Sequence, residues 1–598
     1  MKIRRLVGVF WAWGLFSLSA SPAATRYVNV SNAAPAAPYT NWSMAATSIQ
    51  PAIDAATSGD EILVAPGTYL LTGNEVTIPA GKALTLRSTQ SRAAIIDAQG
   101  SSLGMLVEGA GSLIEGFTLR NGSNLSFAGG GLRLMANCAI WDCLVTSNAA
   151  HSGGGIYAEA DVRIENCLIA SNRVGNLGGG LTLMSNGVVR SCLVTGNAAL
   201  HGAGIDARGR VDIESCLIVG NRADSLGGGG LIYSGAVVQS CAVLSNSASA
   251  GGGIEIYEAG TVADCLIAGN SGGGVYFYLG TTGLVRNCVI RDNVKTNGPG
   301  GGVDVYRGGI VSNCWILNNQ ATGANGNGGG VWLFNETSTD LGAVVNSVVA
   351  GNHADQAGGG IWCDGPAGTL WPIVNCTIVS NTAGVNGGGA FAYKTRFIND
   401  IIYFNSAPTN ANLEPHMDVL SCIISNCCTT SNYFWPNITN APAFVDSGAG
   451  DFRLATASPG IDAGTTNGAP RTDIDGNPRP RIGMPVVLGA ATTNCDMGAY
   501  EYGFHFNSIE AVSSNAMRFQ WDVQDVGRYR VDVATNAAAD PLHPTWNSVM
   551  AYTQATIIGK GQYAVHAATV TNPTLPMPNR AIFRLSVDRA TVGKRSRR

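Results

Sequence analysis

The sequence predicts an all-β protein built as a parallel β-helix, in which each turn of the chain adds one strand to each of several sheets. Three observations support this prediction: a glycine run that recurs along the chain, a cysteine and an asparagine in constant phase with it, and alternating apolar and polar residues after each run. Successive runs are 21 to 30 residues apart, a period that is typical of a solenoid.

Eleven glycine runs define the repeat, and all but Gly202-Ala203-Gly204 contain three consecutive glycines. Their last glycines are Gly131, Gly155, Gly180, Gly204, Gly230, Gly253, Gly274, Gly302, Gly330, Gly360 and Gly389. Nine pairs place an asparagine five residues after a cysteine: Cys143/Asn148, Cys167/Asn172, Cys192/Asn197, Cys216/Asn221, Cys241/Asn246, Cys265/Asn270, Cys288/Asn293, Cys314/Asn319 and Cys376/Asn381. Ser347/Asn352 and Asp400/Asn405 keep the spacing without the cysteine.

The residues after each run alternate with period two, which predicts a strand with one face turned inward. A second apolar segment follows each cysteine, and no segment of helical periodicity lies between the two. In-register stacking of such units places cysteine over cysteine and asparagine over asparagine. Glycine supplies the positive φ angles that the corners require, and asparagine tolerates them.

The Cys-Leu-Ile-x-x-Asn…Gly-Gly-Gly-Ile unit resembles the right-handed parallel β-helix repeats of the pectin-lyase-like superfamily, and in style those of polymorphic outer-membrane and adhesin-type proteins. The resemblance covers roughly residues 25–430. It implies a right-handed coil. It implies no single activity, because that fold includes lyases, hydrolases, adhesins and inert stalks.

The ends of the chain differ from the repeats. Residues 1–24 combine a basic start, an apolar run and small residues, which predicts a secretory signal peptide. Residues 25–125 are expected to form the first coils and a cap, with a short helix carrying Ile49, Ile53 and Ala56 on one face. The repeats themselves occupy residues 126–430.

Two further regions follow the repeats. Residues 431–503 resemble the choice-of-anchor Q domain through the segments 457–464, 473–480 and 496–501, which implies attachment to a cell surface and closure of the helix. Residues 504–598 contain alternating segments at 517–523, 529–533 and 582–587, which predict a small β-sandwich of the fibronectin-III or immunoglobulin type.

Charge and cysteine content limit the partners and the chemistry. Loss of Lys2, Arg4 and Arg5 with the signal peptide takes the formal charge from −4 to −7, which argues against a nucleic-acid partner. No later segment is long enough to cross a bilayer. Stacked cysteines on parallel strands point the same way, so they are expected to be reduced and buried. Four cysteines outside the stack are the disulfide candidates: Cys422, Cys427, Cys428 and Cys495.

The outward positions of the strands after the glycine runs are the best candidates for a binding site. From Glu255 onward they form a predicted exposed face of aromatic residues, with Glu255, Asp304 and Asp364 at its edge. The candidate ligand-binding residues are Tyr257, Tyr276, Tyr278, Tyr306, Trp332, Phe334, Trp362 and Tyr393. In the unit with four glycines the same phase assigns Ile232 and Ser234 to the outward positions. An exposed aromatic band indicates a partner such as a sugar chain. The alternatives are that the rings only stabilise the sheet, or that another part of the chain covers them.

No catalytic motif is specific enough to assign an enzyme. Asp206, Glu255 and Asp304 occupy one column and are weak candidates for the paired carboxylates of a glycosidase, against the alternative that they are ordinary solvated acids. Asp473, Asp475 and Asn477 weakly resemble a Ca²⁺ loop, and no other cofactor or metal is indicated.

The function that the sequence favours is that of an exported, surface-associated β-helix protein that binds an extracellular polysaccharide or another cell-surface component through the aromatic face. Two alternatives stay open: a polysaccharide lyase or glycoside hydrolase that uses the same face, and a passive adhesin or stalk.

Overall fold

The computed structural model describes residues 23–502, apart from residues 234, 279–282, 336–341, 366–369, 416–421, 432, 434–435, 456 and 480–493, together with the backbone of six strands between residues 505 and 588. The predicted signal peptide therefore lies outside the described residues except for its last two positions.

The repeats form a coil of three parallel sheets, which confirms the predicted parallel β-helix. The glycine sheet, whose strands follow the glycine runs, has 14 strands: Val76–Ile78, Met105–Val107, Leu132–Leu134, Ile156–Ala158, Leu181–Leu183, Ile205–Ala207, Gly230–Ile232, Ile254–Ile256, Val275–Phe277, Val303–Val305, Val331–Phe334, Ile361–Asp364, Ala390–Ala392 and Leu413–Pro415. Eleven of these, Leu132–Leu134 to Ala390–Ala392, lie between Ala128 and Asn405 and pair in register.

The other two sheets complete each turn. The middle sheet has 16 strands: Thr25–Val28, Glu61–Val64, Thr85–Ser88, Ser112–Glu115, Cys138–Trp141, Val162–Glu165, Gly187–Arg190, Val211–Glu214, Val237–Gln239, Thr261–Ala263, Leu284–Arg286, Gly309–Ser312, Gly342–Val345, Trp371–Val374, Thr395–Ile398 and Ile423–Ser425. The cysteine sheet has 15: Gly67–Leu70, Ala94–Asp97, Phe117–Arg120, Leu144–Thr146, Leu168–Ala170, Leu193–Thr195, Leu217–Val219, Ala242–Leu244, Leu266–Ala268, Val289–Arg291, Trp315–Leu317, Val348–Ala350, Thr377–Val379, Ile401–Tyr403 and Cys428–Thr429.

The cysteines stack inside the coil as predicted, and all 15 are buried free thiols. Each thiol of the stack donates to a backbone carbonyl two residues earlier, as Cys167 does to Glu165 at 3.2 Å. The disulfide candidates Cys422, Cys427, Cys428 and Cys495 are also free, so that expectation is wrong. These four thiols also donate to backbone carbonyls, as Cys428 does to Asn440 at 3.3 Å and Cys495 to Thr465 at 3.2 Å.

The asparagines form a continuous buried ladder at one corner of the coil. The side-chain amide of Asn172 donates to the Oδ1 of Asn197 at 3.0 Å, and that of Asn197 donates to the Oδ1 of Asn221 at 3.0 Å. The same Oδ1 atoms also accept from the backbone N–H of the preceding asparagine, as in Asn172 to Asn197 at 3.0 Å. Each amide therefore satisfies polar groups of two turns.

Between each asparagine and the next glycine run the chain makes an outward excursion, which we call an arm. Most of these arms pair with each other as short parallel strands. One set of arms forms a five-stranded sheet: Ser123–Ala128, Ala149–Ser152, Arg173–Leu177, Ala198–His201 and Arg222–Leu226. A separate set forms a four-stranded sheet: Val294–Thr296, Gln320–Thr322, His353–Ala354 and Thr382–Ala383.

The first end of the coil is covered as predicted. A 3₁₀ turn at Trp42–Met44 precedes an α-helix at Ile49–Ala55, whose Ile49, Ala52 and Ile53 are buried. Because an open end would leave the core of the first turn in water, this helix supplies the apolar surface that the solenoid needs there.

Residues after the last turn fold back against the cysteine sheet. A hairpin pairs Phe444–Asp446 with Asp451–Leu454, joined by a 3₁₀ turn at Ser447–Ala449. The indole N–H of Trp315 donates to the hydroxyl of Tyr500 at 3.3 Å. This contact lies at the side of the last turns of the coil. The boundaries of this region at residues 431 and 503 stay predictions.

Six strands follow in two three-stranded antiparallel sheets. One contains His505–Ser513, Ala516–Asp522 and Val565–Thr571, and the other contains Arg528–Ala534, Trp546–Gln554 and Ile582–Asp588. The three strands predicted from alternation in this region coincide with observed ones. The assignment to a fibronectin-III or immunoglobulin type stays a prediction.

Candidate functional site

The arms flank the outward face of the glycine sheet, and we call the strip of that face beside the arms the groove. The first glycine of most runs lies against the first outward residue of the next strand: a Cβ added to Gly358 would lie 2.7 Å from that of Trp362, and one added to Gly300 would lie 2.5 Å from that of Asp304. Gly272 differs, because a Cβ added there would meet the backbone of Ala248. The first outward residues therefore form the floor of the groove at the foot of the arms. The second outward residues lie two positions further along each strand.

The pairing register corrects one turn of the sequence analysis. Leu231 pairs with Glu255, so Leu231 and Tyr233 are the outward residues, rather than Ile232 and Ser234. Four consecutive glycines, Gly227 to Gly230, left the phase of this unit ambiguous, and Gly230 is the first residue of the strand. Tyr233 is thus a site residue that the sequence analysis missed.

Three aromatic residues of the floor form a nearly parallel stack. The ring centroids of Trp332 and Trp362 are 5.6 Å apart with an angle of 15° between their planes, and those of Trp362 and Phe391 are 6.1 Å apart at 3°. These separations exceed the ~4.8 Å spacing of strands, so each ring is displaced sideways from the next and part of its face is left uncovered. Phe334, a second outward residue, adds another ring to the stack, with its ring centroid 5.1 Å from that of Trp332.

A cleft of about 360 Å³ lies beside this stack. The arms contribute Ala324, Asn327, Gln356, Ala357 and Val385 to its lining, and the glycine sheet contributes Trp362, Asp364, Phe391 and Tyr393. A cleft that combines aromatic rings and a carboxylate on the sheet with amide groups on the arms has the composition of a site for a partly polar ligand.

Tyrosines occupy the groove on the preceding turns. The ring of Tyr257 lies 4.7 Å from that of Tyr233 and 5.5 Å from that of Tyr278, and Tyr276 lies 5.8 Å from Tyr278. Tyr306 continues the row to Phe334 at 6.0 Å. All eight predicted aromatic residues lie on the outward face of the glycine sheet. They are half-buried instead of fully exposed, because each packs against its neighbour and the floor is covered by the arms.

The three candidate catalytic carboxylates do not lie at the surface. Asp206 and Glu255 have no exposed area and Asp304 is 7% exposed. The three acids lie on the outward face of the glycine sheet as predicted, but the alternative that they are ordinary solvated acids is wrong. Covered in this way, they would meet a ligand only after a covering side chain moved. The paired-carboxylate mechanism of a glycosidase therefore gains no support from the structure.

The surroundings of these acids differ. Asp206 forms an ion pair with Arg208 at 2.9 Å, and burial raises its pKa to about 6 against the lowering effect of that arginine. Burial raises the pKa of Glu255 to about 8. Burial also raises the pKa of Asp304 to about 7, which the charge of Lys295 partly offsets. Glu255 and Asp304 are therefore largely protonated or poised to titrate near neutral pH, whereas an exposed acid would be ionised.

Two oxygens of Glu255 and the Oδ1 of Asp304 have no hydrogen-bond partner among the described residues. Buried polar atoms are normally paired, so unpaired ones identify places where a ligand or water would be favourable.

The weakly predicted calcium loop does not fit a metal. The Oδ1 of Asp473 accepts from the N–H groups of Asp475 at 3.0 Å and Asn477 at 2.7 Å, and its Oδ2 accepts from the amide of Asn477 at 2.8 Å and the N–H of Glu501 at 3.0 Å. These donors already occupy both oxygens, so the loop is a buried turn. Across the described part of the chain, no group of three or more histidine, cysteine or acidic side chains is placed to hold a metal ion.

The described residues also contain no helix long and apolar enough to span a membrane.

Comparison with known proteins agrees with this architecture. A family model described as "Right handed beta helix region" matches residues 67–261 and 200–342. This match agrees with the parallel β-helix of the described residues and with the right-handed coil that the repeat resemblance implies. A search of curated proteins found no match.

Several solved structures are similar to the chain. Pectate lyase Pel9A is 15% identical, with 81% of this chain and 98% of that chain covered and a TM-score of 0.25. The PL6 family polysaccharide lyase Pedsa3628 from Pseudopedobacter saltans is 14% identical, with coverages of 68% and 94% and a TM-score of 0.29. The A-module of the mannuronan C-5 epimerase AlgE4 from Azotobacter vinelandii is 15% identical, with coverages of 66% and 93% and a TM-score of 0.25. At these identities and scores the likenesses carry no argument about activity.

Proposed function

We propose that this protein binds a polysaccharide along the groove, and that binding rather than cleavage is its activity. The observation that carries the proposal is the stack of Trp332, Trp362 and Phe391 beside a cleft of about 360 Å³ lined by amide and carboxylate side chains. Rings accept the apolar faces of sugars, and polar groups opposite them accept and donate hydrogen bonds to hydroxyls.

The extended shape of the groove favours a polymer over a small ligand. Aromatic residues occupy consecutive turns from Tyr233 to Tyr393, and the turns are ~4.8 Å apart. A chain of sugars that lies along the coil would meet a ring at every turn. A passive stalk would use such rings only for sheet stability, and this is the outcome that the experiment must exclude.

Export and surface association belong to the same proposal. They are supported by the signal-peptide pattern of residues 1–24 and by the resemblance of residues 431–503 to the choice-of-anchor Q domain. Expression of the full chain in a bacterial host, followed by cell fractionation and N-terminal sequencing, tests both. Retention of residues 1–24 in a cytoplasmic product would contradict export.

Binding can be tested by replacing two rings of the stack. Trp332→Ala combined with Trp362→Ala is expected to lower affinity for a bound oligosaccharide by at least about tenfold, because two stacking surfaces are lost. The ligand is first found on a glycan array, and its affinity is measured by calorimetry. Trp141→Ala is the matched control, since Trp141 is 41% exposed on the middle sheet, away from the groove. Undiminished binding in the double variant would leave the stalk as the better interpretation.

A further inference from the structure

The wall of the groove has a notch where one arm is reduced to a single residue. Only Ser271 lies between Asn270 and Gly272, whereas four residues, 247–250, form the previous arm and six, 294–299, form the next. The five-stranded and four-stranded arm sheets are separate for this reason. Among the described residues, the strand-like pairing across the gap consists of isolated bridges, Ser247 to Ser271 and Ser271 to Val294.

The floor beneath the notch combines one tyrosine and two unpaired acids. Tyr276 belongs to the same turn as Ser271, and it pairs with Glu255 on the turn before and Asp304 on the turn after. Both oxygens of Glu255 and the Oδ1 of Asp304 lack a partner among the described residues, although both side chains are at least nine-tenths buried. The site thus presents acceptor atoms for which the described residues provide no donor.

Tyrosine rings surround these acids, and rings at both ends of the row already hold cations. The guanidinium of Arg208 lies 5.0 Å from the ring centre of Tyr233, and that of Arg307 lies 5.2 Å from the ring centre of Tyr306. Burial raises the pKa of Tyr276, and the nearby Asp304 and Glu255 raise it further, so its hydroxyl stays neutral. Aromatic faces together with carboxylates are the groups that recognise ammonium ions.

A lysine of the protein crosses this notch. Lys295 extends from the arm after the gap, and its ammonium group donates to the carbonyl of Ser249 in the arm before the gap at 2.6 Å. Its charge lowers the pKa of Asp304, and burial lowers the pKa of Lys295 itself. The fold therefore already places one ammonium group near Asp304, and that group is held by the carbonyl of Ser249.

We propose that the notch binds the protonated amino group of an amino-sugar unit in the polysaccharide, which displaces the ammonium of Lys295 and pairs with Glu255 and Asp304. This inference rests on the proposed function of the groove. A uronic acid would bring a third carboxylate beside two others, and a neutral sugar would leave the charge of an ionised acid unpaired. A protonated amine supplies the hydrogen-bond donors and the positive charge that the two acids lack as partners.

Binding should also release protons. An ammonium group beside Glu255 and Asp304 favours their ionised forms, and burial otherwise keeps their pKa values at about 8 and about 7. The other charged or titratable groups that face or flank the notch are Lys295, Tyr233, Tyr257, Tyr276, Tyr278, Tyr306, Asp206, Arg208, Glu258 and Arg307. Calorimetry in buffers of different ionisation enthalpy measures the protons released.

The test compares three hexasaccharides at about pH 6, where a sugar amine is protonated. The probes are the β-1,4-glucosamine hexamer, its fully N-acetylated counterpart and the galacturonic acid hexamer. The glucosamine hexamer is expected to bind at least about tenfold more tightly than the acetylated one. Combined Glu255→Gln and Asp304→Asn should reduce that ratio to about one, whereas Asp212→Asn, an exposed acid on the middle sheet, should leave it unchanged.

Lys295→Met gives a second variant that does not depend on changing a buried acid. The ammonium group of Lys295 competes with the sugar amine for the two acids. Its removal should therefore strengthen binding of the glucosamine hexamer. Equal affinity for the glucosamine and acetylated hexamers, or preference for the galacturonic acid hexamer, would overturn the amino-sugar inference and leave the groove as a polysaccharide site. Failure of every oligosaccharide to bind, on a glycan array as well, would overturn the proposed function itself.

Discussion

Asp400 accepts a hydrogen bond at 2.7 Å from the backbone N–H of Cys376, so a carboxyl group takes the place of a thiol in the cysteine stack. Its side chain is fully buried, and its Oδ2 has no partner among the described residues. The next turn continues the stack with Cys427, whose sulfur accepts from the N–H of Asp400 at 3.4 Å. A titrating group is thus built into an otherwise uncharged column.

This substitution predicts a pH-dependent stability. Burial raises the pKa of Asp400 above its ordinary value, so the folded state holds a proton that the unfolded chain releases. The contribution of Asp400 to the free energy of unfolding should therefore be greatest below the unfolded pKa of about 4, and it should fall as the pH rises toward the folded pKa. Urea denaturation at about pH 5 and about pH 8 should give a lower midpoint at the higher pH.

Asp400→Cys removes that dependence by restoring the stack. The variant should gain stability relative to the parent at about pH 8 and gain less at about pH 5. Ser347→Cys is the matched control, because Ser347 is a buried stack position without a titrating carboxyl. An equal gain at both pH values in Asp400→Cys would show that packing, rather than ionisation, governs this position.

The asparagine ladder predicts a second, larger effect. The Oδ1 of Asn197 accepts two hydrogen bonds from Asn172, and its amide donates to the carbonyl of Ile169 at 2.9 Å and to Asn221 at 3.0 Å. Asn197→Ala leaves these buried groups unpaired and should lower the free energy of unfolding by roughly 2–4 kcal/mol. Asn325→Ala, an exposed asparagine in an arm, is the control for chemical denaturation.

The cysteine stack predicts a simple titration. All 15 cysteines are buried and none forms a disulfide, so the folded protein should react slowly with a thiol reagent. Unfolded protein prepared without reductant should release 15 reactive thiols. A count near half of that number after unfolding would indicate disulfides in the population and would contradict the stack.

The sequence allowed the coil to be predicted because each of its determinants is local and repeated. A glycine run, a cysteine and an asparagine recur in one phase, and stacking converts that phase into ladders such as Asn172 on Asn197. The alternation of Ile254, Glu255 and Ile256 correctly placed Glu255 outside the coil. Four consecutive glycines before Leu231 allowed two phases, and hydrogen bonding with the neighbouring turns selected the one that exposes Tyr233.

The burial of the site could not be predicted in the same way. Alternation states which face of a strand a side chain occupies, but the arms that cover that face have no shared sequence and differ in length, as residues 247–250, Ser271 and residues 294–299 do. Glu255 therefore looks like a surface acid in the sequence and is fully buried in the fold. Two features of the sequence could have pointed to this covered acid: the single-residue arm at Ser271, and Lys295 in the arm that follows it.

The final prediction concerns the length of ligand that the groove accommodates. Six consecutive floor residues, Glu255, Tyr276, Asp304, Trp332, Trp362 and Phe391, lie on strands that pair in register. With ~4.8 Å between strands they span ~24 Å. One turn is close to the length of a pyranose unit in an extended chain, so each added unit should reach a new floor residue.

Affinity should therefore rise with each sugar up to about six units and then level off, since further units leave this row of contacts. Calorimetry with oligomers from the dimer to the decamer measures the series. If short ligands bind at the turns that carry tyrosines, Trp362→Ala should lower the affinity of the hexamer more than that of the dimer. If affinity is independent of length beyond the dimer, the ligand occupies a single pocket beside Trp362, and the remaining rings serve only to hold the sheet together.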